Sequence, residues 1–238
     1  MSRLTPLLKV VYDEYVATNR KIVFSNGQIY HAFNRGIDRR NVFTGLRELS
    51  RAEELIKYYV CKEPPVSYSK FLQLPKATRD EVTQQMKKDE KLVNVLAYCL
   101  MPNHFHFMLQ QNSEKGLSTF ISNFTNAYTK YLNTKHERAG PMFEGAFKAV
   151  LVESDEQLIH LSRYIHLNPV VSSIINEDQL PSYRWSSYPS YISEPEEGVV
   201  NSTLVISMFK SKDKYKEFVL DQVEYGKKLE AIKHLILE

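Results

Sequence analysis

Two apolar runs joined by a very short connection constrain this chain more than any other feature. The first, KLVNVLAYCL, ends at Leu100, and the second, HFHFMLQ, begins at His104. Met101, Pro102 and Asn103 lie between them, and Pro and Asn are typical turn residues. Short apolar runs bounded by turn residues are typical of strands. The sequence therefore predicts two adjacent strands with a tight turn.

His104 and His106 are the unusual residues of the second predicted strand. Successive side chains of a strand point to opposite faces, so these two imidazoles share one face and Phe105 points to the other. Two imidazoles side by side on a rigid strand can bind a metal ion. An H-x-H pair also occurs in strands that bind no metal, so the spacing alone leaves a purely structural role open.

The segments around this pair of strands predict an α+β fold. Residues 27–36 and 147–152 have the pattern of strands, and residues 46–61 and 116–137 carry apolar side chains at helical spacing. Another helix is expected to begin near Asp155. The order strand, helix, strand, strand, helix, strand, helix predicts a ferredoxin-like (RRM-like) antiparallel sheet with helices on one face.

The domain organisation follows from the same pattern. Residues 1–190 are expected to form one domain, with a polar insertion at 62–90. Residues 191–238 are expected to form a C-terminal helical extension, with helices near 203–210 and 213–236.

Composition narrows the function classes without selecting one. The 238 residues carry a formal net charge of +3, which permits nucleic-acid binding but does not require it. Cys61 and Cys99 are far apart and predict neither a zinc site nor a disulfide framework. No apolar run reaches the roughly 20 residues of a membrane span. The segment MSRLTPLLKVVYDEY shows no clear cleavage site for a signal peptide. A cytoplasmic location is expected.

The helix expected after Ser154 carries a second group of candidate residues. Tyr164 and Asn168 are four residues apart, so they lie on one helical face. The Asn168 oxygen could complete a site for Mg²⁺ or Mn²⁺ beside the two histidines, and the Tyr164 phenol could attack a phosphorus atom. Packing is the more common role of a helical tyrosine, and Asn168 before Pro169 is also consistent with the end of a helix.

Three arginines, Arg35, Arg39 and Arg40, lie close together after the first predicted strand. They are either a solvated loop or a phosphate contact, and the second role requires that the loop border the site. Tyr128 and Tyr131 compete with Tyr164 as nucleophiles, but their helical spacing indicates packing.

Four segments together resemble a known family. In chain order they are IYHAFNRGIDRRNVF, AYCLMPNHFHFML, AYTKYLNTKHERAGPMFEGAFKA and LIHLSRYIHLNPV. They resemble the single-tyrosine HUH transposases, specifically the REP-associated tyrosine transposases and their insertion-sequence relatives. The resemblance covers about residues 27–190.

The resemblance implies a function and a site. It implies a metal-dependent endonuclease and strand transferase that acts on single-stranded DNA with a REP-like or transposon-end hairpin, through a covalent 5′-phosphotyrosine. His104, His106 and Asn168 match the metal ligands, and Tyr164 matches the nucleophile. It also implies a nucleoid-associated protein of the bacterial cytoplasm that is a monomer or a homodimer. Where the family commonly has an arginine this chain has Ala146, so a phosphate or base contact is either missing or supplied by Lys148, which is a candidate DNA-binding residue.

Two other functions stay open. The first is a domesticated DNA-binding protein that keeps the fold but does not cut. The second is a metal-dependent hydrolase that uses an activated water, although H-x-H hydrolases of that type need a (β/α)8 barrel, and the sequence lacks the required alternation.

Overall fold

A four-stranded antiparallel sheet lies at the centre of this computed structural model, which describes residues 23–194 and 198–228. The strands stand in the order β2-β3-β1-β4. Their bounds are β1 Ile29–Arg35, β2 Val93–Met101, β3 His104–Gln111 and β4 Lys148–Leu151. The tight turn predicted between the two apolar runs is confirmed, because only Pro102 and Asn103 separate β2 from β3.

Helices fill the connections between the strands and follow the last one. Their bounds are α1 Leu46–Tyr59, α2 Tyr68–Phe71, α3 Lys76–Lys88, α4 Gly116–Lys135, α5 Asp155–Val171, α6 Tyr188–Ile192, α7 Thr203–Ile206 and α8 Lys212–Leu220. Short 3-10 turns occupy Ile37–Arg39 and Glu177–Ser182. The predicted insertion contains α2 and α3, and α3 buries none of its residues.

The sheet packs against helices on both faces. Phe105 and Phe107 of β3 join α1 and α4 in one buried apolar cluster. Met108 of β3 joins α5 and the helices after it in a second cluster. The predicted α+β fold with an antiparallel sheet is confirmed, and α1 and α4 share one face as expected. The structure adds a second helical layer over the face to which His104 and His106 point.

The helices after residue 190 contribute directly to the second cluster. Tyr215 and Val219 of α8 are fully buried there together with Leu161 and Ile165 of α5. The domain boundary at residue 190 stays a prediction. The shared apolar core nevertheless means that α8 stabilises the position of α5 by the same burial of apolar surface that stabilises the rest of the sheet.

A buried hydrogen-bonded histidine reinforces this packing. The Nδ1 atom of His166 lies 2.7 Å from the Tyr215 hydroxyl, and its Nε2 atom lies 2.8 Å from the Ser187 hydroxyl. Burial lowers the pKa of His166 to about 3, so the ring is neutral near pH 7. His166 therefore holds helices together, because both of its ring nitrogens contact hydroxyl groups of other segments.

The end of α5 differs from the sequence-based expectation. Pro169 was expected to close the helix, but the helix continues to Val171. A proline disturbs a helix chiefly by removing its own backbone donor and by crowding the preceding turn. Here it lies in the last turn, and the Ile174 backbone N–H still donates to the Pro169 carbonyl at 2.9 Å. The expectation was wrong by two residues, because the Asn168 and Pro169 carbonyls still accept hydrogen bonds from backbone N–H groups that follow them.

Several other expectations concern the chain as a whole. Cys61 and Cys99 are both buried and form no disulfide. Within the part of the chain that is described, no helix is long and apolar enough to cross a membrane. Two expectations lie outside the described residues. They concern a signal peptide in residues 1–15 and the end of the helix expected at 213–236.

A buried ion pair joins α1 to α4 and generates a first prediction. Glu48 is 4% exposed and accepts a hydrogen bond from the Lys135 ammonium. Burial alone would raise the pKa of Glu48, but its hydrogen bonds and the Lys135 charge hold it below its ordinary value of 4.5. This stabilisation is therefore fully present above about pH 4.5 and is lost as the pH falls through the lower pKa of the folded state.

The Glu48→Gln substitution is expected to lower the free energy of unfolding by about 1–2 kcal/mol at pH 7, since a charge-assisted hydrogen bond is lost. The difference from the unsubstituted chain should shrink as the pH falls below 4.5. Urea denaturation at several pH values measures both effects. Glu90→Gln, which breaks an exposed pair with Lys62, is the control and should leave the midpoint unchanged.

Candidate active site

A row of imidazole side chains crosses the sheet on the face covered by α5. The register opposes Phe33 of β1 to His106 of β3, and Arg35 to His104. His31, two residues before Phe33, therefore points to the same face as His104 and His106. The His31 Nε2 atom lies 2.9 Å from the His106 Nδ1 atom, and the two rings stack with centroids 5.2 Å apart.

Tyr164 of α5 lies over this row. Its ring meets His106 edge to face with centroids 5.4 Å apart, and it meets His31 in the same manner at 6.0 Å. Tyr164 is 8% exposed and His106 is fully buried. The phenol predicted as nucleophile and the imidazole predicted as metal ligand therefore lie together within one chain.

Helix α5 is positioned by its ends and by its apolar face. The Ser154 hydroxyl caps it by accepting from the Gln157 backbone N–H at 3.2 Å. Leu158, Leu161 and Ile165 anchor it on the sheet. Asn168 lies one turn after Tyr164, and its amide Nδ2 donates to the Tyr164 carbonyl at 3.3 Å. Asn168 is 5% exposed, so its side chain belongs to the same buried region of the helix.

The turn between β2 and β3 is held by the loop that follows β1. The Pro102 carbonyl accepts from the backbone N–H groups of Val42 and Phe43 at 2.7 and 2.9 Å, and the Asn103 carbonyl accepts from Gly36 at 2.7 Å. The loop that contains the three arginines therefore borders the turn from which His104 begins. The phosphate-binding role of those arginines stays a prediction.

Asn103 connects this loop to His104 through its side chain. Its amide Nδ2 donates to the Arg39 carbonyl at 3.2 Å, so its Oδ1 is the atom that faces the His104 Nδ1 at 2.6 Å. An amide oxygen only accepts hydrogen bonds, so Nδ1 of His104 carries the hydrogen. The neutral ring then has its lone pair on Nε2, which is the state that a metal ligand needs.

The four predicted DNA-binding residues lie on β1, on β4 and in the loop after β1. Arg35 opposes His104, and its Nε donates to the Glu144 carboxylate at 2.6 Å. Lys148 of β4 opposes Phe33, so it stands in the same row as His106 two strands away, and it is exposed. Arg39 and Arg40 are exposed in the loop. These four cations, called the cationic rim below, thus comprise two residues of this face and two residues of the loop beside the turn that precedes His104.

The arginine loop has an unusual backbone. Asp38 and Arg39 both have left-handed conformations, with φ of 55° and 57°. Two successive non-glycine residues in that region are uncommon and carry strain. The hydrogen bonds from Gly36 to Asn103 and from Asn103 to Arg39 hold the loop in this form.

The donor set for a metal ion is small. Among residues 23–194 and 198–228, no group of three or more His, Cys, Asp or Glu side chains is arranged to hold a metal. The predicted set consists of two imidazoles and the Asn168 amide, and water would have to supply the remaining ligands. The fixed tautomer of His104 fits such a role. Imidazole nitrogen favours Mn²⁺ over Mg²⁺, since the first is a transition metal and the second prefers oxygen.

Other histidines and tyrosines have structural partners. The His160 Nδ1 atom accepts from the Arg163 guanidinium at 2.6 Å, on the side of α5 that meets Phe218. The Tyr128 hydroxyl donates to the Val42 carbonyl at 2.8 Å and is fully buried under the opposite face of the sheet. Tyr128 therefore packs, as its helical spacing predicted.

Sequence reasoning missed three residues of this region: His31, Asn103 and Glu144. His31 alternates with its neighbours in the same way as the imidazole pair, but only the pairing of β1 with β3 brings it beside His106. Glu144 reaches Arg35 across 109 positions of the chain. No local pattern in the sequence indicates either contact.

Comparisons with known proteins agree with this fold. Residues 69–168 match a protein family described as "Transposase IS200 like". The matched stretch runs from α2 to Asn168 and so contains His104, His106 and Tyr164. A search of curated proteins gives no match.

A solved structure described as "Structure of the REP associates tyrosine transposase bound to a REP hairpin" resembles this chain with a TM-score of 0.51. The similarity covers 79% of this chain and 93% of the other, with 12% sequence identity. At that identity the similarity shows the fold alone.

The close approach at Gly36 generates a second prediction. A Cβ atom there would lie 2.2 Å from the Arg40 carbonyl oxygen and 2.9 Å from the Val42 side chain. The Gly36→Ala substitution is expected to lower the free energy of unfolding by about 1–3 kcal/mol, since the loop backbone must shift to remove the clash. Urea denaturation measures the effect, and an unchanged midpoint would contradict this packing of the loop.

Proposed function

We propose that this chain, in which residues 69–168 match the family described as "Transposase IS200 like", is a metal-dependent single-stranded DNA endonuclease and strand transferase. The family match supports a transposase-like role in DNA processing. The proposal adds the chemistry, which is transesterification through a covalent 5′-phosphotyrosine.

One observation carries the proposal. The Tyr164 ring lies edge to face against His106, with centroids 5.4 Å apart, on the face of the sheet that also bears His104. A nucleophile and an imidazole pair must converge on one phosphate for this reaction, and the contact of Tyr164 with His106 within one chain supports that arrangement. Packing alone also brings aromatic rings together. The coincidence of this contact with the family match favours the catalytic role.

The proposed reaction exchanges one phosphodiester for another. The Tyr164 phenol oxygen bonds to phosphorus, the bond to the 3′ oxygen breaks, and the departing strand leaves with a 3′-hydroxyl. Attack by the 3′-hydroxyl of another strand reverses the step and restores the phenol. The number of ester bonds is unchanged, so no ATP is needed.

His104, His106 and Asn168 would hold the divalent ion. When bound, Mg²⁺ or Mn²⁺ would withdraw charge from a phosphate oxygen and make the phosphorus more reactive. The protein side chains would orient the DNA strand, because they are themselves held in place. The packing of α5 holds Tyr164, and the contact with Asn103 holds His104. The ordinary pKa of tyrosine is near 10, so the phenol must lose its proton during attack, and water is the acceptor we propose.

The cationic rim would bind the DNA backbone. Arg39, Arg40 and Lys148 are exposed, and they can neutralise phosphates of a strand that reaches Tyr164. Arg35 is engaged with Glu144 through Nε, and its guanidinium keeps further donors for a phosphate. Tyr164 and His106 are buried, so a phosphate can reach them only if the DNA strand bends sharply. This favours single-stranded DNA at the point of cleavage.

A DNA hairpin next to the cleaved strand is the partner we propose. The structurally similar protein is described as bound to a REP hairpin, and the fold match covers 93% of that chain. A monomer suffices for the site described above, because all its residues come from one chain. A homodimer is equally compatible with it.

A second candidate function is DNA binding without cleavage. Ala146 favours it, because the resemblance leads us to expect an arginine in that place, and the loss of a guanidinium weakens the grip on a phosphate. Lys148 stands two residues later and retains a positive charge on the same segment.

A covalent adduct tests the proposed reaction. The protein is incubated with Mn²⁺ and 3′-labelled single strands that carry a hairpin with randomised flanks, and the products are separated on a denaturing gel. We expect a labelled protein–DNA species, which Tyr164→Phe reduces by at least about a thousandfold because the nucleophile is lost.

Tyr131→Phe is the matched control, since it removes a partly exposed hydroxyl from α4 and should leave the adduct unchanged. An adduct that survives Tyr164→Phe would exclude Tyr164 as the nucleophile. Strands bound without any adduct would favour the non-cleaving candidate.

The rim residues generate a fourth prediction. Arg39→Ala and Lys148→Ala are each expected to weaken binding of hairpin-bearing strands and to lower the slope of log affinity against log salt by about 0.7, as for one phosphate contact. Fluorescence anisotropy across salt concentrations measures the slope. Lys76→Ala changes an exposed lysine of α3, in the predicted insertion, and should leave the slope unchanged.

A further inference from the structure

We propose that His31 is a positioning residue for the metal site, which holds His106 in the tautomer that binds a metal through Nε2. This inference rests on the proposed function, since it concerns the metal ligands named there. The contact that carries it is the hydrogen bond of 2.9 Å between the His31 Nε2 atom and the His106 Nδ1 atom.

The two rings are fixed in place by their surroundings. His31 is 3% exposed and His106 is fully buried, so neither ring turns freely in solvent. His31 contacts Phe33 with ring centroids 4.8 Å apart and Tyr164 at 6.0 Å. The orientation of the His31–His106 hydrogen bond is therefore set by the sheet and by α5 together.

One hydrogen is shared in this contact, and its position decides the chemistry of His106. If His106 Nδ1 carries the hydrogen and donates it, the lone pair of His106 lies on Nε2. If His31 donates instead, a neutral His106 carries its hydrogen on Nε2 and cannot bind a metal there. A metal ligand thus requires that His31 accept, and this requires that neutral His31 carry its own hydrogen on Nδ1.

The same arrangement occurs at the other histidine of the pair. Asn103 Oδ1 accepts from His104 Nδ1 at 2.6 Å, and the Arg39 carbonyl fixes the direction of that amide. Both histidines thus contact a neighbouring residue through Nδ1. With His31 as the acceptor, both present Nε2 on the same face of β3. Hydrogen bonds of this kind orient metal-binding histidines and make them better ligands.

Substitutions that keep or remove the acceptor test the inference. His31→Gln keeps an acceptor at a reach similar to Nε2, whereas His31→Leu fills space without one. The affinity for Mn²⁺ is measured on the full chain from the electron paramagnetic resonance signal of unbound Mn²⁺. The melting temperature without metal is measured by circular dichroism.

We expect His31→Leu to weaken Mn²⁺ binding by about 10–100-fold and His31→Gln to weaken it by only a few fold. The metal-free melting temperatures of the two variants should agree. If His31→Leu does not fold, His31→Asn replaces it, because the shorter amide does not reach His106.

Two results would overturn the inference and have different meanings. Unchanged Mn²⁺ affinity in His31→Leu, or equal losses in both variants, would show that His31 only packs, while the proposed function stands. No Mn²⁺ binding by the unsubstituted chain would overturn the metal site itself, and with it both proposals.

Discussion

The alignment of β1 against β3 is the constraint on which the rest of the site depends. It opposes Phe33 to His106 and Arg35 to His104, so that aromatic, imidazole and cationic side chains share one face. A shift of one residue would turn the side chains of β1 to the other face of the sheet. Tyr30 and Ala32 oppose such a shift, because both are buried in the apolar cluster on the face covered by α1 and α4.

The parts of the site that local periodicity determines could be predicted from the sequence. The strand alternation of His104 and His106 and the helical spacing of Tyr164 and Asn168 are short-range patterns, and the structure keeps both. Contacts between distant segments could not be predicted. His31 meets His106 across 75 positions of the chain, and neither local pattern contains the strand pairing that joins them. The second helical layer could not be predicted for the same reason, because no local sequence pattern indicates which face of the sheet its apolar residues cover.

Charge and backbone strain are concentrated at one end of the sheet. The loop after β1 places Arg39 and Arg40 beside the turn before His104, and Asp38 and Glu144 offset part of this charge through ion pairs with Arg40 and Arg35. The left-handed conformations at Asp38 and Arg39 are unfavourable by themselves. They persist because Asn103 and Gly36 hydrogen-bond across the loop. The same contacts that hold this strained conformation keep the loop against the turn that precedes His104.

The buried hydrogen-bond chain through His166 has a consequence for motion. Tyr215 donates to Ser162 at 3.0 Å, so His166 Nδ1 donates to Tyr215. The Ser187 hydroxyl lies 2.8 Å from His166 Nε2 and 3.2 Å from the Tyr98 carbonyl, and its one hydrogen serves one of these two acceptors. The chain joins α8 to the helix that bears Tyr164. Detachment of α8 would remove the Tyr215 hydroxyl from His166, which lies two residues after Tyr164, and would leave its Nδ1 atom without that hydrogen bond. Helices α8 and α5 should therefore open as one cooperative unit in hydrogen exchange, so that local unfolding of α8 alone is suppressed.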